Sequence, residues 1–400
     1  MKCNPWTLAL LGAGLVSLPS LANAEEKPNT VITSLTPTTL SGYVDTSAQW
    51  NLGTGNDRLP PYAFGGSGKA DGFNLNVLKL TLEKPVEAAD VWGAGYKVDL
   101  IAGPDANAFA TQSSGNHADF GVKQAYVALH APIGNGLDFK VGVWDTIIGY
   151  EVFESGNNPN FTRSYGYTME PTTHTGIQAT YVFCEAFSAT FAVANTFGPK
   201  INERSNNESY KTYMASFTFT APTNTGFFAG STLSACVING FNSGVTADGN
   251  ETSWYVGGTL NTPVTGLKVG FAFDDLDVHD ANGETWAVGG YVAFQATEKL
   301  SFYGRGEYLR DRGAQKLFMT TITDPTDPES TIAIKTAPDK VLALTATAQY
   351  DLWKNVMSRL EIRWDHSLTG EGVWGTADAT TGSGSLRNEV MVAANIIYKF

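Results

Sequence analysis

From about residue 40 onward, apolar and polar positions alternate with a period of two, the spacing of a strand with two unlike faces. The clearest case is 357–366, where Ser358, Leu360, Ile362 and Trp364 fall on one face and Arg359, Glu361, Arg363 and Asp365 on the other. The last segment behaves alike: Val390, Val392, Ala394, Ile396, Tyr398 and Phe400 lie opposite Arg387, Glu389, Asn395 and Lys399. In 299–311 the polar set is Ser301, Tyr303, Arg305 and Glu307, and in 40–50 it is Ser41, Tyr43, Asp45, Ser47 and Gln49. Two segments break phase. In 73–83, Phe73, Leu75 and Val77 give way to Leu78, Leu80 and Leu82, as a β-bulge would cause. Phase is ambiguous around Lys123 in 119–131.

The pattern predicts about sixteen strands, at 40–50, 73–83, 91–102, 119–131, 137–145, 173–183, 187–197 and 209–220, then 226–240, 251–262, 266–277, 284–295, 299–311, 340–351, 357–366 and 387–400. Short connections at 85–90, 132–136, 184–186, 222–226, 263–266, 296–298 and 352–356 fall on one side. Long polar ones at 51–71, 103–118, 146–172, 313–339 and 367–386 fall on the other. An even number of antiparallel strands, with short turns at one end and long loops at the other, is the layout of an outer-membrane barrel. The expected fold is therefore all-β: a single transmembrane antiparallel β-barrel following a cleaved signal peptide.

Composition agrees. Charged residues make up 16% and aromatic residues 12% of the chain, and there are 42 glycines. Mean hydropathy is −0.12, natural where half of each strand meets lipid and half meets water. Trp50, Trp92, Trp144, Trp254, Trp286, Trp353, Trp364 and Tyr398 cluster near predicted strand ends, as interfacial girdles do. Lys2, the apolar stretch 6–18 and Ala22-Asn23-Ala24 read as a signal peptide over 1–24. A short periplasmic segment would follow at 25–37, and the barrel would occupy 38–400. The terminal Tyr398-Lys399-Phe400 resembles the C-terminal signal read by outer-membrane assembly machinery, with Tyr398 and Phe400 as the assembly residues.

The net charge of −13, without a clustered basic patch, argues against nucleic acid as a partner. Cys184 in a short turn and Cys236 well up a strand would stand roughly 30 Å apart at about 3.3 Å per residue, so two free thiols, buried or half-buried, are expected. No G-x-S-x-G, HExxH, P-loop or CxxC occurs, and the histidines are scattered, so neither an enzyme nor a cofactor is indicated. Asp274, Asp275 and Asp277 with His279 and Asp280 read as a solvated acidic stretch near a loop tip rather than a metal site, and 324–329 as a flexible surface loop.

The window 142–176 reads GVWDTIIGYEVFESGNNPNFTRSYGYTMEPTTHTG, and 41–51 reads SGYVDTSAQWN. Both resemble the putative β-barrel porin-2 (OmpL-like) family. The resemblance implies an outer-membrane location and a porin role, but no particular solute. By analogy with sixteen-stranded porins, loop 146–172 would fold into the lumen and place Glu151, Glu154, Arg163 and Glu170 at a constriction. Pore-lining Arg305, Arg359 and Arg363, with Glu307, Glu361 and Asp365 beside them, would then supply facing charge across an aqueous gap. The other reading has the loop capping the barrel from outside. His174 is expected to anchor the loop's return by a hydrogen bond.

Two functions from different classes follow. One is a porin passing small hydrophilic solutes or ions by diffusion, with outer-membrane lipid and the barrel assembly machinery as partners and a homo-oligomer left open. The other is a non-conducting barrel whose loops serve structure or adhesion. A soluble β-sandwich is a third possibility, disfavoured by the number of amphipathic strands.

Overall fold

The computed structural model describes residues 37–53, 55–86, 91–112, 119–204, 210–241, 250–279, 283–313 and 317–400. The proposed signal peptide, nearly all of the 25–37 segment and Cys3 therefore lie outside the described residues. Eighteen strands are present among the described residues. They begin with β1 (Thr39–Leu52), β2 (Gly72–Lys84), β3 (Gly93–Ala102), β4 (Phe120–Ala131), β5 (Leu137–Asp145) and β6 (Thr173–Cys184). Next come β7 (Phe187–Ala194), β8 (Thr212–Thr220), β9 (Thr232–Phe241), β10 (Asn250–Asn261), β11 (Leu267–Val278) and β12 (Gly283–Gln295). The remainder are β13 (Leu300–Gly313), β14 (Met319–Asp324), β15 (Asp327–Lys335), β16 (Lys340–Trp353), β17 (Val356–Ser367) and β18 (Asn388–Lys399). Two short helices interrupt the long loops, α1 (Pro104–Phe109) and α2 (Tyr165–Met169).

All strands except β14 and β15 pair antiparallel with their neighbours in one closed sixteen-stranded barrel, β18 returning to β1. Closure leaves no unpaired backbone edge, the condition for crossing hydrocarbon. The C-terminus completes the seam. Phe400 N–H donates to Gly42 O at 3.0 Å and Gly42 N–H to Phe400 O at 2.9 Å. The Phe400 ring packs over Gly42, where a Cβ would collide with it.

The period-2 reading holds on the strands that carried it. In β17 Arg359, Glu361, Arg363 and Asp365 are buried inside, while Leu360 and Ile362 are exposed outside. Replacing Leu360, 64% exposed on the lipid face, with arginine should cost roughly 2–4 kcal/mol if it lies near the midplane. The urea unfolding midpoint in liposomes reads this, and an unchanged midpoint would reverse the inside–outside assignment.

The phase slip in 73–83 is a bulge. Asp45 pairs with Val77 and Thr46 with Leu75, so Asn76 is the extra residue. Its side chain turns inward, with Nδ2 donating to Asp45 Oδ1 at 2.8 Å. The ambiguity at Lys123 is a second bulge, since Asp99 pairs with Gln124 and Leu100 with Val122. Lys123 and Gln124 both end up inside.

Five local expectations need correction. The strand expected from 226 starts at Thr232, because Gly226 takes a positive φ and Gly226–Phe228 forms a 3-10 turn that widens the connection. Trp144 belongs to no girdle: it is fully buried inside against His174 at 5.3 Å. Residues 324–329 are not a flexible loop but sit within the β14–β15 hairpin, whose tip is fixed by Asp324 Oδ1 accepting from Thr326 N–H and Oγ1, both at 2.7 Å. Asp274, Asp275 and Asp277 lie within β11, inside the strand expected at 266–277, but Asp274 is not solvated: it points inward and is buried, and Asp280 lies outside the described residues. The thiols are free and Cys236 is buried, but Cys184, expected buried or half-buried, is exposed at the end of β6.

Candidate functional site

Loop 146–172 enters the barrel. Its two ends are stitched together, Thr146 N–H donating to Thr172 O at 2.9 Å, and His174 Nε2 lies 3.1 Å from Thr146 Oγ1. His174 thus holds the loop's return, as expected from the sequence. Gly149, at φ 116°, lets the chain turn inward directly over the Glu170 carboxyl. Tyr150 then stacks on Tyr291 of β12 at 4.0 Å, its hydroxyl 3.4 Å from Thr259 Oγ1 of β10. Gly270 of β11 leaves the space the Tyr150 ring occupies.

Beyond Tyr150 the loop lies along the wall formed by β13, β16, β17 and β18 and is held there by charge. Arg305 of β13 donates through Nη1 to Glu151 Oε1 (2.8 Å) and Thr162 O (2.7 Å), and through Nε to Glu307 Oε2 (2.7 Å). Glu307 Oε1 accepts Tyr165 N–H at 2.7 Å, and Glu151 Oε2 accepts Ser164 N–H at 2.7 Å. Ser164 Oγ accepts Tyr167 N–H at 3.0 Å as the N-cap of α2, so three oxygens satisfy three of the four free donors at the start of that helix.

Glu361 accepts from Phe161 N–H (2.5 Å), Thr162 N–H (2.9 Å), Thr162 Oγ1 (2.6 Å) and Thr347 Oγ1 (2.7 Å). Arg359 donates to Asn395 Oδ1, Ser155 O and Asn160 O. Arg363 is paired with Asp365 at 2.9 Å, donates to Arg163 O at 2.7 Å, and sits under the Tyr62 ring at 4.1 Å. Tyr165 Oη donates to Asp365 Oδ1 at 2.8 Å. Arg163 folds back onto its own loop, donating to Val152, Phe153 and Phe161 carbonyls between the Phe64 and Tyr167 rings. Hydrogen bonds to charged groups contribute about 1.5–3 kcal/mol each where they are buried and well formed.

The six inward residues expected to line the pore therefore face the lumen, but the loop lies directly on them. At 2.5–3.0 Å no water layer separates loop from wall, and Arg305, Glu307, Arg359, Glu361, Arg363 and Asp365 are all at most 3% exposed. The aqueous gap expected between these arginines and Glu151 is closed. Loop carbonyls and carboxylates already occupy the guanidinium donors, so these charges form a seat.

Open space lies on the loop's other side. A cavity of about 230 Å³ separates it from β2–β8. Glu154 faces this side, ion-paired with Lys79 of β2 and with Lys123 of β4 at 3.2 Å. Lys123 also pairs with Asp145, and Lys79 with Asp99 at 2.9 Å. Lys97, Gln124, Tyr126, Lys140, Gln178, Thr190 and Ser216 also line the barrel side of the cavity. Glu170 lies at its edge, its carboxyl hydrogen-bonded to that of Asp274. Burial and the Asp274 charge hold the Glu170 carboxyl well above the usual carboxylate range. At the long-loop end, the loops after β1 and β17 join by reciprocal backbone bonds between Arg58 and Gly375 at 3.0 and 2.8 Å.

Sequence reasoning brought Glu151, Glu154, Arg163 and Glu170 into the barrel. It missed Lys79, Lys123 and Lys140 on the opposite wall and Asp274 beside Glu170. The two phase slips were a usable signal, since both bulges lie next to these lysines.

A profile of the family described as "Putative beta-barrel porin-2, OmpL-like" matches residues 37–400. Among solved structures, an anion-selective porin from Comamonas acidovorans is 12% identical over 91% of this chain and 99% of its own, with TM-score 0.55. OmpT of Vibrio cholerae is 12% identical over 91% and 97%, with TM-score 0.51. It also matches in a trimer form, at 12% identity over 91% and 99%, with TM-score 0.52. OprB of Pseudomonas putida is 10% identical over 91% and 94%, with TM-score 0.52. At such identities the likeness is one of fold. No curated protein matches the chain by sequence.

Proposed function

The chain belongs to the putative β-barrel porin-2, OmpL-like family and is a porin of the bacterial outer membrane, and on that premise we propose that small polar solutes and ions cross it by diffusion between loop 146–172 and the β2–β8 wall. The observation that carries this is the uneven fastening of the loop, which reaches the β2–β8 wall through the Glu154 ion pairs with Lys79 and Lys123 and leaves a cavity beside them. Buried ion pairs and hydrogen bonds commit it to β13 and β16–β18, while the cavity on its far side is lined by lysines, carboxylates, amides and hydroxyls. Glu151, Arg163 and the six inward charges then act as the seat of the constriction, and Glu154 and Glu170 as its water-facing edge. Ordered charges in a narrow passage favour hydrated polar solutes over apolar ones.

Reconstitution into a planar bilayer tests this. Stepwise, ohmic current increments are expected from the folded protein. Folded protein that inserts but passes no current would favour the non-conducting barrel with structural or adhesive loops.

We extend three further points to the chain as proposals. Cleavage after Ala24 precedes assembly, and the intact mass of the outer-membrane form reads it. The assembly machinery recognises Tyr398 and Phe400. The mature protein forms a homo-oligomer, which light scattering in detergent would measure, since the barrel's fold is shared with a V. cholerae protein described in a trimer form.

A further inference from the structure

We propose that the passage contains a station for small anions, centred on Lys140 with Lys97, Tyr126 and Gln178 around it, and that this station makes the pore anion-preferring despite an acidic chain. The inference rests on the diffusion reading above.

The residues stand side by side on four consecutive strands. Lys97 of β3 pairs directly with Tyr126 of β4, and Lys140 of β5 directly with Gln178 of β6. All four border the cavity. Nearer the long-loop end, the lysines of the same wall are taken up: Lys123 by Asp145 and Glu154, Lys79 by Asp99 and Glu154. A passing solute meets those two cations already outnumbered by three carboxylates.

The lower tier differs. Among the described residues Lys97 has one loose ion-pair partner, Glu83 at 3.8 Å. Lys140 pairs with no carboxylate among the described residues, and its ammonium rests over the Tyr126 ring at 5.3 Å. A ring face holds a cation in place without cancelling its charge. Next to it, the Gln178 amide is 3% exposed, and its Oε1 has no hydrogen-bond partner. A buried polar group without a partner costs free energy. The amide can rotate to present either its oxygen or its Nε2 donors. An anion between Lys140 and Gln178 would take an ammonium and an amide donor together.

The chain's net charge of −13 does not decide selectivity. At about 0.15 M salt the screening length is roughly 8 Å, so an ion in the passage responds to the groups within one such length. At the station itself Lys97 and Lys140 stand against Glu83 as the ion-paired carboxylate, so the charge of this tier is positive, next to a tier in which Lys79 and Lys123 meet Asp99, Asp145 and Glu154.

The test is the reversal potential of single pores under a tenfold KCl gradient. Wild type is expected to reverse on the chloride side. Lys140→Glu should move the reversal to the potassium side, Lys140→Gln should bring it near zero, and Lys140→Arg should preserve it. Lys268→Gln, an inward lysine of β11 outside this cavity, should leave it unchanged. Conductance of wild type should level off as KCl rises, as expected if chloride occupies a site, and Lys140→Gln should restore a linear rise. Native heat-modifiable gel mobility establishes that each variant is folded. A cation-preferring wild type, or a Lys140→Gln pore with unaltered reversal, would overturn the station while leaving the porin intact. Absence of any current from the folded wild type would instead remove the diffusion reading, and the station with it.

Discussion

Arg305→Ala is expected to free the third loop and enlarge the pore, raising single-channel conductance and its noise while lowering stability by about 3–5 kcal/mol. Arg305 is fully buried in its side chain and is the one cation shared by Glu151 and Glu307. Its removal leaves two buried carboxylates without that partner and drops the bonds to Thr162 O and Arg163 O. Water entering to solvate the stranded acids must displace the loop, because the same carboxylates accept Ser164 N–H and Tyr165 N–H at the start of α2. Glu361→Gln is the gentler companion. It keeps the shape but cannot accept at both oxygens from Phe161, Thr162 and Thr347, so a loss of about 1–3 kcal/mol is expected. Urea midpoints in liposomes and bilayer recordings measure both effects. If Arg305→Ala conducts and unfolds like wild type, the loop is not held by this seat.

Why the seat was only half legible follows from what a strand pattern encodes. Alternation fixes which residues of β17 point inward, because a one-residue slip would put Arg359 and Arg363 into lipid. Closure followed from the even strand count and the loop asymmetry. The direction taken by loop 146–172 is a different kind of information. It depends on contacts separated by about two hundred residues, such as Phe161 with Glu361 and Tyr165 with Asp365, and no local period reports these.

The sequence therefore suggested charges facing one another across water, where the structure has them touching. The lysine wall was hidden for a related reason. The Asn76 and Lys123 bulges shift the face of each strand midway, so a single phase assigned to 119–131 cannot place both Lys123 and Tyr126. Asp274 fell inside the strand expected at 266–277 but was grouped with its acidic neighbours as a solvated stretch near a loop tip, although Ala272, Asp274 and Leu276 alternate inward along β11.

Asp274 leads to the second large effect, a loop whose docking weakens as pH rises. Glu170 ends the loop, and its carboxyl shares a hydrogen bond with that of Asp274. Two loop glycines, Gly149 and Gly166, lie so close over the two carboxyls that a Cβ on either would collide with them. The other groups acting on Glu170 are Glu151, itself held by Arg305, and Cys236 of β9, with the Tyr255 ring of β10 alongside. The strongest of these influences, burial and the Asp274 charge, disfavour a negative charge on Glu170 in the docked loop.

The sign follows from linkage. With the Glu170 carboxyl held above its unfolded value of about 4.3, the docked loop binds more protons than the released loop. The stability of docking is thus fully present at low pH and declines as pH rises through the native value, by about 1.4 kcal/mol per pH unit between the two. Conductance is expected to increase as pH rises above the unfolded carboxyl value of about 4.3, as the loop's end loosens. Asp274→Asn keeps a hydrogen bond to Glu170 without needing the proton, and should flatten the profile at the low-pH, loop-docked conductance. A flat wild-type profile, or an Asp274→Asn pore with the wild-type slope, would show that the carboxyl pair does not hold the loop.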